Sequence, residues 1–322
     1  MTIAHGQNGM PGGNCMKAKF QKRDLALTLM VFPGFLFFIV FRYIPMLGII
    51  IAFKDYRMGY GGFVQNLFRS EWTGLKNFKF LVASGDAFVA IRNTVLYNIF
   101  WIILGTILAV AVAIMLNEIA IKKLAKVYQT LMFFPFFLSW VVVSYFVFAF
   151  LSSDAGFVNN VLRSLNMETI DWYMEPGYWP AILTVVSQWK GIGYSSVIYL
   201  ASICGIDNTY YEAAMIDGAT KWQQMKNITL PMLVPILVVL TILSLGRIFS
   251  ADFGLFFNVP MESGALFSTT SVIDTYVYRA MTTLADFGMS TAAGLAQSVA
   301  GFFLIMATNA IVKRYDSDNA LL

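Results

Sequence analysis

An all-α polytopic membrane protein is the fold class predicted for this chain of 322 residues, with six transmembrane helices and both termini in the cytoplasm. Three observations predict it. Hydrophobic residues make up 58% of the sequence and charged residues only 12%, about half the charged share of soluble domains. Several apolar runs reach the roughly 20 residues that a helix needs to cross the hydrocarbon core of a bilayer. Lysine and arginine collect in alternate connecting segments, as topology requires. The length suits six spans with short connections and leaves no room for a separate catalytic domain of ordinary size.

Residues 1–24 read as a cytoplasmic tail whose first fifteen residues are disordered, with Met1 and Met16 both open as starts. The tail holds His5, the one histidine of the sequence, so histidine chemistry within the membrane is excluded. Cys15 and Cys204 are far apart and form no metal or redox spacing. No apolar segment precedes the Gly-Gly-Asn-Cys stretch ending at Cys15, which makes it a poor lipoprotein signal.

The first span covers Leu25 to about Phe53 and contains Pro33, Arg42 and Pro45, so it is expected to tilt or kink with Arg42 snorkelling outward. It belongs with an external loop in residues 25–92. The second span covers about Asn93–Leu116, the third Leu131–Leu151, the fourth Trp179–Ile203, the fifth Met232–Phe249 and the sixth Ser290–Val312. These five form a core over residues 93–312, followed by a cytoplasmic tail over 313–322. Pro135 and Pro235 each remove a backbone donor inside a helix and are expected to bend the third and fifth spans.

Orientation follows from the basic segments. Lys17, Lys19, Lys22 and Arg23 precede the first span. Lys122, Lys123 and Lys126 follow the second, Lys221 and Lys226 follow the fourth, and Lys313 and Arg314 follow the sixth. All fall on one side, which is therefore the cytoplasm. The loop 152–178 on the other side carries Arg163 against Asp154, Glu168, Asp171 and Glu175. Residues 54–92 disagree, since Lys54, Arg57, Arg69, Lys76, Lys79 and Arg92 lie there and six spans place them outside. The count of spans and the other basic segments outweigh this exception. The net charge of +4 follows from the same topological bias and needs no acidic partner such as nucleic acid.

The segment 207–231 is a mixed-charge island of small residues between two apolar runs. Thr209 and Glu212 have capping-box spacing, so Thr209 is expected to cap a helix through Ala213, Ala214 and Met215. Gly218 can break that helix, and a second can begin near Thr220 and enter the membrane at Pro231. Taken alone, the spacing fits equally an interfacial connection or a docking element for another protein.

The string from Tyr210 to Pro235 resembles the EAA loop of ABC importer permeases. It includes Glu212-Ala213-Ala214, Asp217-Gly218-Ala219, Trp222 and Ile228 through Leu230, Pro231 and Pro235. Pro135, Ser139, Gly156 and Asn159, the string Gln188–Tyr194, and Gly74–Phe78 in the external loop resemble carbohydrate-importing members. The resemblance covers about residues 25–315 and implies a type I, MetI-like permease core. In that family the loop inserts into a cleft of an ATPase subunit, so Glu212, Ala213, Ala214, Asp217, Gly218, Ala219, Leu230 and Pro231 are the implied coupling residues. The implied partners are a second permease (a heterodimer being favoured), two ABC ATPases that bind ATP and magnesium, an extracytoplasmic solute-binding protein, and membrane lipid. The chain carries no Walker-type loop, is expected to bind no cofactor or metal, and is not an enzyme. The implied location is the inner membrane of a prokaryote. The Ala251–Pro260 stretch with Thr270, Asp274, Thr275, Tyr276 and Tyr278 departs from the Gly-Gly-Pro pattern of many sugar permeases. It resembles a subgroup that takes up oligosaccharides, including acidic ones such as aldouronates or alginate fragments.

Polar residues at membrane depth supply the pathway candidates. Lys190 lies about 16 Å into the fourth span at 1.5 Å per residue, where an ammonium is costly and needs water or a partner. Gln188, Trp189, Tyr194 and Ser195 surround it with hydrogen-bonding and stacking groups of the kind that sugars use. The alternative reading of Lys190 is a structural tie between helices or subunits. Asn98 and Asn258 are further candidates, and Arg247 with Asp252 reads as an interfacial pair of structural purpose. The rival readings are an ion-coupled secondary transporter, which needs repeats and broken helices, a membrane enzyme, which needs clustered ionisable groups, and an ABC permease for a non-carbohydrate solute.

Overall fold

A computed structural model describes residues 22–57, 59, 62–79 and 84–315. The tail residues His5, Cys15, Met16, Lys17 and Lys19, and residues 316–322 of the expected C-terminal tail, lie outside the described residues. The chain divides into two units, residues 1–49 and 50–322.

In the first unit, α1 (Lys22–Phe38) runs through Pro33 and gives way to a π-helical turn at Ile39–Tyr43 and a short turn at Ile44–Met46. The cause is Pro45, which cannot donate to the carbonyl four residues back and crowds it, so the ladder re-pairs with Ile44 N–H on Ile39 O. A 3₁₀ run, Leu47–Phe53, follows. The expected kinked first span is thus a helical run that changes its hydrogen-bond pattern three times.

The second unit begins with α2 (Phe63–Arg69), α3 (Gly85–Glu118), α4 (Lys122–Phe133), α5 (Trp140–Leu151) and α6 (Phe157–Ser164). It continues with α7 (Trp179–Cys204), α8 (Asn208–Ile216), α9 (Lys221–Gln224) and α10 (Leu230–Leu245). It ends with α11 (Phe253–Asn258), α12 (Phe267–Thr270), α13 (Ile273–Leu284) and α14 (Phe287–Tyr315). The described residues form no named strand; one isolated antiparallel bridge joins Lys54 and Trp72.

Among the described residues, four helical runs are long and apolar enough to cross a membrane: Leu27–Phe53, Gly85–Glu118, Lys221–Leu245 and Phe287–Arg314. The pair Lys122–Phe137 and Trp140–Leu151 is apolar enough to make a fifth if it is taken as one broken span, and is bent by 98°. The expected fourth span, α7, has 26 residues and is long enough, but its Gln188, Lys190, glycines and serines keep it out of this set. The expected bend at Pro135 is a full break. A 3₁₀ turn, Phe134–Phe137, ends α4, and Ser139 restarts the chain by accepting Val142 N–H at 3.3 Å. Pro235, by contrast, lies inside an unbroken α10.

The break is clamped onto α7. A Cβ at Gly193 would collide with the Met132 carbonyl and the Phe133 backbone, so only glycine lets the end of α4 seat there. One turn earlier, Lys190 Nζ donates to Phe136 O at 2.7 Å and sits 5.3 and 5.0 Å from the ring centroids of Phe136 and Trp140. Tyr194 stacks on Phe136 with centroids 4.5 Å apart. Of the two readings of Lys190, the contacts favour the tie between helices.

The most extensive helix pairing joins α3 to α7. Ala109 and Ala113 on α3, four residues apart and fully buried, lie in one cluster with Tyr199 and Ile203 of α7, where their small side chains let the backbones approach. At the other end Thr94 accepts Ile273 N–H of α13 at 2.9 Å. One apolar cluster near the α7 start gathers Tyr97, Trp179, Leu183, Val186, Leu255 and Phe256. A second near its end gathers Ala109, Val110, Ala113, Tyr199, Ile203 and Leu233. On α3 about 18 Å separates Tyr97 from Ala109 at 1.5 Å per residue.

Outside these helices, single amides organise the loops. Asn159 is fully buried, donates to Ile170 O at 2.9 Å, and accepts from Ile170 N and Trp172 Nε1 at 3.1 and 3.2 Å. In the Gly74–Phe78 motif, Gly74 holds φ +58° and Asn77 donates to Ala52 O and Lys54 O at 3.0 and 2.9 Å.

Two outcomes test the clamp. Gly193→Ala is expected to lower the thermal midpoint of the detergent-purified protein, whereas Gly191→Ala, whose Cβ meets nothing, is expected to hold or raise it. Lys190→Met leaves the Phe136 carbonyl without its donor and is expected to cost about 1–2 kcal/mol, read from the shift in denaturation midpoint. An unchanged midpoint in both Gly193→Ala and Lys190→Met would remove the clamp from the account.

Candidate functional site

Between the two apolar clusters the polar residues of α3, α7 and α10 face one another around a cavity of about 440 Å³. This falls within the roughly 300–1,000 Å³ of small-molecule sites. Asn98, Trp101, Gly105 and Thr106 line it from α3, Gln188, Ser195 and Tyr199 from α7, Ser244 from α10, and Arg247 and Ser250 from the turn that follows. A Cβ at Gly105 would come within 3.1 Å of Gln188 Oε1, so a larger residue would push the carboxamide aside by a few tenths of an ångström.

The cavity brings together Asn98 and Gln188 of the predicted pathway residues, with Ser195 beside them, and leaves the others elsewhere. Asn98 also has a structural duty, since its Nδ2 donates to Ile248 O and Ser250 O at 2.8 and 3.0 Å, where the chain leaves α10. Lys190 is two residues from Gln188, about 200° around the helix, and so lies on the face that holds the α4–α5 break. Tyr194 belongs to the same clamp. Trp189 lines an apolar groove with Phe146, Phe150 and Val185. Asn258 donates to Gly254 O within its own helix at 2.8 Å.

Arg247 is the residue whose place the sequence misassigned. It makes no ion pair with Asp252 among the described residues. Asp252 instead accepts from Trp140 Nε1 at 3.0 Å and caps α11 at Leu255 N. Arg247 is exposed, it is the one charged residue among those lining the cavity, and no carboxylate lines it. Its position one turn beyond Ser244 at helical spacing is the signal that could have placed it there.

A second candidate region is the segment between α7 and α10. Asp207, not Thr209, caps α8, and its carboxylate accepts Thr209 N–H at 3.0 Å. That bond and one from the Thr209 side chain hold the Asp207 carboxyl below the usual carboxylate range. Because its folded pKa is depressed, the cap's contribution is present above the unfolded carboxylate pKa and is lost as pH falls through the folded one. Thr209 lies one position inside the helix, because the chain turns helical as soon as Asp207 has supplied the acceptor. The expected capping box falls on the next helix, where Thr220 Oγ1 accepts Gln223 N–H and Gln223 Oε1 accepts Thr220 N–H at 2.7 Å.

Gly218 breaks α8 as expected, with φ +78°, a conformation that a side chain would strain. After α9 a π-helical turn, Met225–Thr229, leads into α10 at Leu230 with Pro231 in its first turn. Glu212, Ala213, Asp217, Gly218 and Pro231 are exposed, while Ala214, Ala219 and Leu230 are half-buried. Large apolar side chains are exposed beside them, Ile216 at 87%, Trp222 at 69% and Met215 at 55%. Two contacts tie the loop to the long helices: Lys221 Nζ to Glu118 Oε2 at 3.4 Å, and Tyr211 OH to Thr229 Oγ1 at 2.9 Å.

Residues 101–317 match the sequence profile of the family described as binding-protein-dependent transport system inner membrane component. The chain is 34% identical over 298 residues to Protein LplB of Bacillus subtilis (strain 168), covering 92% of this chain and 91% of that protein. It is also 34% identical over 295 residues to the polygalacturonan/rhamnogalacturonan transport system permease protein YteP of the same organism, covering 91% and 89%. Its fold is similar to a crystal structure of a bacterial ABC transporter involved in the import of the acidic polysaccharide alginate. The TM-score is 0.80 at 32% identity, over 92% of this chain and 97% of that one. A structure of the bacterial alginate ABC transporter in complex with alginate pentasaccharide-bound periplasmic protein gives the same score and identity over 91% and 96%. With several helices long and apolar enough to span a bilayer and a family profile matched over most of its length, this chain is a multi-pass membrane permease belonging to the binding-protein-dependent transport system inner membrane components.

Proposed function

We propose that the chain is one permease subunit of an ATP-driven importer that carries an oligosaccharide into a prokaryotic cell across its inner membrane. In this reading six helices span the bilayer, α7 among them, and both termini are cytoplasmic. A second, different permease chain completes the pathway. Two ABC ATPases hold ATP and magnesium, and an extracytoplasmic solute-binding protein delivers the sugar.

The observation that carries the substrate side is the cavity at mid-length of α3 and α7, where carboxamide and hydroxyl groups stand beside the rings of Trp101 and Tyr199. Sugars bind through hydrogen bonds to polar groups and through aromatic faces, and an otherwise apolar helix pair has no packing reason to concentrate such groups. The names of the relatives agree, since YteP is named for polygalacturonan/rhamnogalacturonan transport and the structural neighbours for alginate import. An ion-coupled mechanism or a non-carbohydrate cargo is the alternative. Uptake into vesicles by the reconstituted complex separates them: ATP alone should suffice, and uptake driven by an ion gradient without ATP would overturn the reading.

The coupling side rests on the loop. Exposed Ile216, Met215 and Trp222 form an apolar surface that water does not favour, next to Glu212 and Asp217, which suits a partner cleft lined with basic groups. The Tyr211–Thr229 bond offers a route from that surface into α10 and so to the cavity.

Gly218→Pro forces φ near −65° where the chain holds +78°, and Glu212→Lys reverses the charge offered to the ATPase. Both are expected to lower ATP hydrolysis stimulated by the loaded binding protein by about tenfold or more, with the permease still folded. Normal stimulation in both variants would exclude this loop as the transmission element.

A further inference from the structure

We infer that Arg247 selects the charge of the substrate, so that the cavity passes oligosaccharides bearing carboxylates in preference to neutral ones. This rests on the permease reading above. Arg247 lines the same cavity as Asn98, Gln188, Ser195 and Ser244, and its side chain makes no ion pair or hydrogen bond among the described residues. No aspartate or glutamate lines that cavity.

Two carboxylates held close to the turn after α10 are committed elsewhere. Asp252 is held by Trp140 Nε1 and the α11 amide of Leu255. Asp274 accepts Ala251 N–H at 2.7 Å and lies 3.5 Å from Gln297 Nε2. Lys190, the cation within α7, spends its ammonium on Phe136 O on a different face of that helix. One unpaired positive charge therefore lines a polar cavity between apolar clusters.

Arginine presents a planar fork of donors that matches a carboxylate with two parallel hydrogen bonds, and a neutral pyranose offers no such acceptor. The neighbouring carboxamides and hydroxyls bind hydroxyl groups of either sugar class. Arg247 thus distinguishes a uronate from its neutral counterpart, and the other groups do not.

The test uses the complete importer in vesicles, with the binding protein present. It compares uptake of a galacturonate oligosaccharide with that of its carboxyl-reduced counterpart of equal length, each normalised to occupancy of the binding protein. Arg247→Gln is expected to lower the acidic-to-neutral uptake ratio by about tenfold or more, and Arg247→Lys to restore part of it. Should Arg247→Gln fail to assemble, Ser244→Asp places a carboxylate one turn away and is expected to lower the same ratio. An unchanged ratio in the assembled variants would overturn the inference. So would a wild-type importer that carries the neutral sugar and not the acidic one, which leaves the permease reading standing. Uptake of neither sugar by the wild type would contradict that reading itself.

Discussion

Backbone groups released by a broken helix in an apolar medium must find partners inside the protein, and that requirement fixes where most of the polar side chains of this permease go. The α4–α5 break frees the Phe136 carbonyl, and Lys190 takes it. The end of α10 frees Ile248 and Ser250 carbonyls, and Asn98 takes both. Phe249 O receives Gln297 Nε2 at 2.7 Å, and Ser271 O receives Asn93 Nδ2 at 3.0 Å. At the α4–α5 break and at the end of α10 the freed carbonyls are met by a lysine or an amide on another helix. A polar residue at membrane depth is therefore presumed engaged until its partners are counted, and Arg247 stands out because they are not found.

The same requirement explains the shape of the α3–α7 pair. Its two ends are closed by apolar clusters that need no hydrogen bonds, and its middle is lined by groups that do. The pair is held firmly at both ends, leaving a polar gap of fixed position between them. At the α8–α10 side, Lys221 reaches Glu118 at the end of α3, and Tyr211 reaches Thr229 at the foot of α10. A force applied to the exposed face of α8 would thus act on two of the helices that line the cavity.

Much of this was legible in the sequence where chemistry is local. Helical content, the turn at Gly218 and the helix start at Thr220 follow from residue type and spacing alone, and the structure has them. The cap of α8 was placed two residues late because Thr209 and Glu212 offer capping-box spacing while Asp207 supplies an acceptor earlier. The severity of the break at Pro135 was not legible, because it depends on Gly193 of a helix about 60 residues away admitting the turn. Gln188, Lys190 and Tyr194 read as one cluster along the chain, yet the helix turns Gln188 toward the cavity and Lys190 and Tyr194 together toward the α4–α5 break. Arg247 and Asp252 read as a pair because they are close in sequence, but Trp140 claims the aspartate. Contacts across the fold decide these cases, and spacing alone does not show them.

In the proposed importer, water and substrate share the α3–α7–α10 cavity and not the opposite face of α7. Adjacent residues at the same depth offer the most direct measurement, since Gln188 lines the cavity and Trp189 the apolar groove. Gln188→Cys and Trp189→Cys would each be made after Cys15 and Cys204 are replaced by serine, and the intact importer treated with a charged, membrane-impermeant thiol reagent. The account predicts modification at position 188, slowed by transported oligosaccharide, and little at position 189. Fast modification at 189 with none at 188 would contradict it.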